Sequence, residues 1–403
     1  MERVLIVGIR KTGIDAALFL KSLKKKVFCF DDSWEKVDRS FLKKLEEAGI
    51  EKLQKEDLDL NLFDTCVVSP GVPNSHLIFQ LAKNSSCEII SEIELGFRYL
   101  DAPCIAVTGT NGKTTMTELI TYVLNMFGMP AVSLGNIGKT LTSHLMKKEK
   151  KIVVLELSSY QLEKTFSKKI DFALLLNITP DHLNRYTSFQ SYAEAKLRLL
   201  DLMKDPKNLF VDNNTAENFQ LNDAACSIVD GEKEIDFLVP LLKHFGVGQE
   251  QIQTALKSFK KPSHRIEHVD FYLGARWIND SKSTNPASTL FALKECFSPI
   301  ILIAGGDDKK LDYSVWNHPD FNKVKKVILM GKGGQKIKSQ LNHYDMVEAT
   351  DLLDAVKKAS TFAVKDDTVL LSPGCSSLDD FANYEERGNL FKQYVRELKK
   401  ELV

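Results

Sequence analysis

Ile105-Ala106-Val107-Thr108-Gly109-Thr110-Asn111-Gly112-Lys113-Thr114-Thr115 leads into an apolar-periodic stretch from Met116 to about Phe127 and is the most informative segment of this 403-residue chain. The order is a β-branched run, a glycine loop and a helix. Glycines let backbone N–H groups close around phosphate oxygens, and the helix N-terminus adds positive potential. Lys113 can reach the outer phosphates of a nucleoside triphosphate, and Thr114 can hold Mg²⁺. In the general G-x-x-x-x-G-K-[ST] pattern the first glycine falls at position 107, where this chain has valine, so the match is to a shorter variant. The plain alternative is an ordinary strand-to-helix turn, but Gly-Lys-Thr behind a β-rich run is hard to obtain by chance.

Further short apolar runs surround this one: Val4–Val7, Val27–Phe30, Thr65–Val68, Ile152–Leu157, Ala173–Leu176, Ile300–Ala304, Lys326–Met330 and Thr368–Leu371, each alternating with helical patterns. Alternation of this kind predicts an α/β protein built on parallel sheets. Breaks in the pattern at Asp101-Ala102-Pro103 and Lys260-Lys261-Pro262-Ser263 predict three domains, 1–100, 101–261 and 262–403. The first and third read as Rossmann-like, the central one as a phosphate-loop ATPase type of parallel sheet.

Lys+Arg and Asp+Glu both number 54, and 27% charged against 43% hydrophobic is ordinary globular composition. With zero net charge, a nucleic-acid coat is disfavoured, and the lysine clusters read as solvated helix faces. No apolar run approaches the roughly 20 residues that span a bilayer. The opening Met1-Glu2-Arg3-Val4 reads as a first strand rather than a signal peptide. Seven scattered cysteines with no Cys-x-x-Cys pair indicate reduced thiols and a cytoplasmic protein, not a disulfide framework or zinc site.

Three residues stand where chemistry is expected. Glu156 ends the run from Ile152, at the carboxyl end of a parallel strand, where a hard oxygen ligand suits Mg²⁺. His182 follows the run Ala173–Leu176, also at a strand's carboxyl end. Lys196 lies on a helix that Ser191 and Glu194 are expected to open as a capping box, and by itself reads as a surface lysine.

Together these motifs resemble the Mur ligase family, ATP-dependent amide ligases of bacterial cell-wall synthesis, over nearly the whole chain. The resemblance rests on the loop 108–115, on Glu156-Leu157-Ser158-Ser159-Tyr160-Gln161, on His182 with Asn184-Arg185-Tyr186, on Ala195-Lys196-Leu197-Arg198 and on His264-Arg265-Ile266-Glu267. Asn279-Asp280-Ser281-Lys282-Ser283-Thr284-Asn285 and Ser372-Pro373-Gly374-Cys375-Ser376-Ser377-Leu378 are similar to the D-glutamate-adding members. The resemblance implies that Gly109, Thr110, Asn111, Gly112, Lys113, Thr114 and Thr115 bind ATP, that Thr114 and Glu156 hold one Mg²⁺, and that His182 and a carbamylated Lys196 serve a second. It implies that Arg265 clamps nucleotide phosphate, that Asp280 contacts the nucleotide and that Lys309 lies near the transferred phosphate. Asn136 and Ser158 would meet the muramoyl substrate, UDP-N-acetylmuramoyl-L-alanine. Lys282, Thr284, Ser377, Leu378 and Tyr384 would form the D-glutamate pocket. Independently, Asn285-Pro286 reads as an N-cap and N1 pair opening a helix over 287–294, which puts Lys282 and Thr284 near a terminus that favours an anion.

In the first domain only Gly8 and Gly13 of Gly-x-Gly-x-x-Gly are present, with Arg10 at the middle position. The middle glycine normally admits a pyrophosphate against the backbone, so the arginine argues against a dinucleotide and for side-chain contact with a diphosphate. Thr12, Asp31 with Asp32, and Ser69 in Ser69-Pro70-Gly71 would then contact the UDP part. The family's His-Asn motif late in the central domain is missing between Asn213 and Pro262, a stretch that also looks shortened, so weak ATP affinity or relaxed base selectivity is expected. The competing reading from another class is a nucleotide-sugar-binding homologue without turnover, against which Lys113, Glu156, His182 and Lys196 stand together. A monomer is expected.

Overall fold

The computed structural model describes residues 2–183, 185–222, 225–231, 233–307, 311–341 and 343–401. The chain forms two compact units, one of Met1–Ile178 with Gln190–Phe259 and the other of Thr179–Phe189 with Lys260–Val403. Strands β1 (Arg3–Val7), β2 (Lys26–Phe30), β3 (Glu51–Lys52), β4 (Thr65–Val68) and β5 (Glu88–Ile90) make a parallel sheet in the order β3-β2-β1-β4-β5. Strands β6 (Cys104–Thr108), β7 (Ala131–Gly135), β8 (Ile152–Glu156), β9 (Phe172–Leu175), β10 (Leu209–Asp212) and β11 (Ser227–Val229) make a second, also parallel, ordered β11-β10-β9-β6-β8-β7. Both sheets belong to the first unit.

The second unit holds β12 (Glu267–Tyr272), β13 (Ala275–Asn279), β14 (Ile300–Gly305), β15 (Val324–Met330), β16 (Met346–Glu348) and β17 (Thr368–Leu371), ordered β12-β13-β17-β14-β15-β16. Only the β12–β13 pair is antiparallel.

The apolar runs follow from helices covering both faces. Val4 and Ile6 enter one core while Leu5 and Val7 enter another. In the third sheet Ile300 and Leu302 face one core and Ile301 and Ile303 the opposite one. With a side-chain period of two and no solvated face, such strands read as continuous hydrophobic stretches. Of the strands absent from the sequence reading, β3, β5, β11 and β16 are short and half-exposed, whereas β10 and β13 are mostly buried. The helix carrying Lys196 begins at Phe189, two residues before the expected capping box, so Ser191 lies within its first turn. Asn285 does cap the helix Pro286–Glu295, its side chain accepting from the Ser288 N–H. The seven cysteines are free and buried. Among the described residues no helix is long and apolar enough to cross a membrane.

Within the first unit, carboxylates on the helix Glu92–Tyr99 tie the first sheet to the second. Glu94 accepts from the N–H groups of Phe166 and Ser167, both at 2.8 Å. Glu92 Oε1 accepts from the N–H and hydroxyl of Thr142, both at 2.6 Å, and Thr140 donates to Asp15 at 2.8 Å. Burial pushes the Glu92 carboxyl up to about 7 despite those bonds, with Asp15 adding to the rise. In the unfolded chain the group titrates near its ordinary value, about 4.3. Between those two values the folded state holds more protons, so this group makes the fold lose stability as pH rises through roughly 4.5 to 7. Glu92→Gln keeps an oxygen for Thr142 and removes the charge. It should melt roughly 2–6 °C above the wild type at pH 8, the gap closing by pH 4.5; an equal gap at both pH values would contradict the assignment.

Candidate functional site

The glycine loop follows β6, the strand flanked by β8 and β9 in the second sheet. Gly112 has φ of 82° and is the N-cap of the helix Lys113–Met126, a left-handed position that glycine enters at no steric cost. Asn177, just past β9, braces the loop: its carbonyl accepts from Thr110 N–H at 2.8 Å and its Oδ1 from Asn111 N–H at 2.9 Å. The Thr110 hydroxyl meets the Tyr192 hydroxyl at 3.1 Å. Two cations converge on one oxygen, since Lys113 Nζ donates to the carbonyls of Gly109 and Thr110, both at 2.8 Å, while Lys196 Nζ donates to Gly109 at 2.7 Å. Lys196 is only 1% exposed, and its ammonium lies 4.8 Å from the Tyr192 ring centre. Read alone, it was expected at the surface; the helix Phe189–Leu197 instead turns it inward onto the loop.

Glu156 ends β8 beside β6 and is buried. Its Oε1 accepts from Asn136 Nδ2 at 2.7 Å, while its Oε2 is buried without a hydrogen-bond partner among the described residues. A buried carboxylate oxygen left unpaired is costly. Such an oxygen, on the strand next to the one that feeds Thr114's helix, suits a divalent cation. Among the described residues no cluster of three or more His, Cys, Asp or Glu side chains could hold a metal by itself. That donor set fits Mg²⁺, which keeps waters and substrate phosphates and needs one or two carboxylates. Thr115 continues the first turn of the same helix. Ser158 caps the helix Ser159–Leu162, its hydroxyl accepting from Gln161 N–H.

In the first sheet the strand order reverses between β1 and β4, the place where doubly wound folds bind ligands. Ser69 Oγ donates there to the Gly8 carbonyl at 2.6 Å. Asp31 accepts from Ile9 N–H at 2.7 Å and from Ser33 N–H at 3.1 Å, which fixes the loop after β1. A Cβ at Gly13 would stand 2.2 Å from the Gly8 carbonyl, so only glycine lets the helix Lys11–Ser22 approach. Thr12 lies in that helix's first turn, next to the exposed N-cap Arg10.

In the second unit, β13, β14 and β17 run parallel, so their following loops gather at one end of the sheet. Backbone bonds interlock them: Gly305 N–H to Pro373, Asp307 N–H to Ser376 and Gly374 N–H to Ser283. Lys282 Nζ lies 3.8 Å from the Tyr384 ring centre, Thr284 is half-buried beside it in sequence, Ser377 is buried, and Leu378 is 68% exposed. Asp280 takes the hydroxyls of Ser283 and Ser372 and the Ile266 N–H. Burial pushes it up to about 6, those bonds pulling the other way. It thus pins the loop carrying half-buried Arg265 to the other two. The backbone N–H of His264 donates to Glu267, and its ring Nδ1 meets Asn279 Nδ2. His182 belongs to this unit, at φ of 55°, with Nε2 3.8 Å from Asp181; Asp181 is held by Asn285 at 3.1 Å. Lys309 lies outside the described residues.

Comparisons with known proteins agree with this geometry. Residues 107–232 match the Mur ligase middle domain. The chain is 36% identical over 434 positions to UDP-N-acetylmuramoylalanine–D-glutamate ligase of Protochlamydia amoebophila, covering 98% of each chain. It is 34% identical over 451 positions to the enzyme of the same name from Thermoanaerobacter pseudethanolicus, covering 99% of each. The chain belongs to the Mur ligase family. Among solved structures, UDP-N-acetylmuramate-alanine ligase of Thermotoga maritima has the same fold, with a TM-score of 0.59 at 16% identity over 99% of this chain and 100% of that one. A pseudomurein peptide ligase type C from Methanothermus fervidus has a TM-score of 0.60 at 15% identity, with the same coverage.

In this Mur ligase the loop residues, Lys113, Lys196, Glu156 and Asn136 belong to one compact unit, and Arg265, Asp280, Lys282, Thr284, Ser377, Tyr384 and His182 to the other. Asn177 and Tyr192, which shape the loop, were not singled out from sequence. A polar residue directly past a buried strand that neighbours the loop strand is the signal that points to Asn177; nothing local marks Tyr192. Lys113→Ala should leave the loop braced by Asn177 and Lys196, with a melting temperature close to wild type, while ATP turnover falls by about 10³. Normal ADP release by the folded variant would remove Lys113 from the site.

Proposed function

We propose that this Mur ligase joins D-glutamate to the alanyl carboxylate of UDP-N-acetylmuramoyl-L-alanine at the expense of ATP, a step of peptidoglycan precursor synthesis. The observation that carries the proposal is the match, from end to end, to ligases bearing that name. The braced glycine loop supports it on physical grounds.

A carboxylate does not react with an amine at neutral pH because oxide would have to leave. Transfer of the γ-phosphoryl group from ATP to the alanyl carboxylate gives an acyl phosphate. The amine of D-glutamate then attacks the acyl carbon, and phosphate departs from the tetrahedral intermediate. Most of the work left to the protein is positioning and charge stabilisation.

The loop N–H groups and Lys113 would bind the β/γ phosphates, Lys113 exchanging its own loop carbonyls for phosphate oxygens. Thr114 and Glu156 would hold Mg²⁺, which supplies charge neutralisation on the phosphates. His182 would serve a second ion with Lys196. As an ammonium Lys196 donates to Gly109; a carbamate on Nζ would add two acceptor oxygens for an ion while keeping one N–H able to donate to that carbonyl. Arg265 and Asp280 would meet the nucleotide, and Lys309 the transferred phosphate. Thr12, Asp31 and Ser69 would take the uridine diphosphate, and Asn136 and Ser158 the muramoyl end. Lys282, Thr284, Ser377, Leu378 and Tyr384 would seat D-glutamate, the Lys282 cation and the hydroxyls of Thr284 and Ser377 suiting its side-chain carboxylate. Domain limits at 1–100, 101–261 and 262–403, a monomeric state and a cytoplasmic setting complete the proposal; reduced cysteines fit that compartment.

Phosphate release measured with ATP, Mg²⁺ and UDP-N-acetylmuramoyl-L-alanine should require D-glutamate and be negligible with L-glutamate or no amino acid. No release under any of the three conditions would point to the competing reading, a nucleotide-sugar-binding homologue without turnover, and equal release under all three would remove D-glutamate as the acceptor.

A further inference from the structure

One buried cation has no part in the reaction described so far. Arg387, three residues into the helix Tyr384–Glu401, is fully buried. Its acceptors are one hydroxyl and three main-chain carbonyls. Nε donates to Ser281 Oγ at 3.0 Å, Nη2 to the Ser281 carbonyl at 2.9 Å, and Nη1 to the carbonyls of Ser376 at 3.2 Å and Cys375 at 3.3 Å. Nη2 also reaches Cys375 at 3.3 Å. Ser281 Oγ passes its own proton to the Tyr384 carbonyl at 2.8 Å.

A guanidinium has five donors in a rigid planar fork, which a lysine cannot reproduce. Here the fork spans two loops that are remote in sequence. One leads from Ser281 into Lys282 and Thr284, and the other from Cys375 and Ser376 into Ser377. The turn that carries Tyr384 closes the arrangement through Ser281. Buried cations usually face a carboxylate; this one is bonded to carbonyls, with Asp379 and Asp280 acting only from farther away. Burial holds Arg387 down to about 10, so it is charged at neutral pH and its charge is not cancelled where it sits. Close packing leaves little slack nearby: a Cβ on Gly306 would meet the Ser376 carbonyl at 2.4 Å and Arg387 Nη1 at 3.3 Å.

We propose that Arg387 is a positioning residue for the amino-acid acceptor, setting the spacing between Lys282 and Thr284 on one loop and Ser377 on the other, and lending positive potential beneath an anionic ligand. The inference rests on the reading of these loops as the D-glutamate pocket. It differs from a merely structural strut in one respect: its loss falls on one substrate.

Steady-state kinetics of full-length Arg387→Lys, varying each substrate in turn, tests this. Expected is a KM for D-glutamate raised roughly 10-fold or more, with the KM values for ATP and UDP-N-acetylmuramoyl-L-alanine within about twofold of wild type. Ser281→Ala, which removes only the hydroxyl facing Nε, serves as the second variant should lysine in the buried slot unfold the unit; its KM for D-glutamate should rise roughly threefold with the others unmoved. An unshifted D-glutamate KM in a folded variant, or a parallel loss for all three substrates, overturns the inference while leaving the functional reading intact. Failure of that reading shows in the wild type itself, as phosphate release indifferent to D-glutamate.

Discussion

The carbonyl oxygen of Gly109 receives two ammonium groups, and the phosphate loop depends on that convergence. Lys113 comes from the loop's own helix and Lys196 from a helix more than eighty residues later, so the turn is held from its near and far sides. Asn177 fixes the remaining freedom by engaging the N–H groups of Thr110 and Asn111. A loop so held gathers its two cations at one turn. Glu156 adds the complementary element. One of its oxygens is satisfied by Asn136, and the other is buried without a hydrogen-bond partner among the described residues.

Loops locked by buried polar groups recur in the second unit. Parallel strands bring three loops to one end of the sheet, and buried polar groups lock the loops together. Asp280 binds serines from two of them, and Arg387 draws the carbonyls of two. Between these buried anchors lie the half-buried Lys282, over the Tyr384 ring, and Thr284. In both units the proposed site residues sit at strand ends, where a rigid sheet hands over to backbone that a ligand can approach.

Much of this was legible in the chain because fully covered parallel strands write themselves as uninterrupted apolar runs. The central strands β1, β6, β8, β14 and β17 were all read from such runs. Edge strands such as β11 and β16 were not, since half-exposed residues such as Ser227 and Met346 carry no such signature. The glycine loop was visible as a local pattern, and so was the Asn285 cap. Lys196 and Arg387 show the opposite case. Lys196 was read as a surface lysine and Arg387 was not singled out, yet each is a long helical cation that is buried where acceptors distant in sequence converge on it. Spacing along a helix cannot report a carbonyl brought in by another loop. The helix carrying Lys196 starts at Phe189, earlier than the capping pair Ser191 and Glu194 suggested.

The central claim is that the γ-phosphoryl group held at this loop passes to the substrate's carboxylate before any amide forms. Labelling that carboxylate with oxygen-18 and analysing the released phosphate by mass spectrometry tests it most directly. The account predicts one labelled oxygen in each phosphate formed with D-glutamate present. Unlabelled phosphate, with amide formation intact, would contradict it.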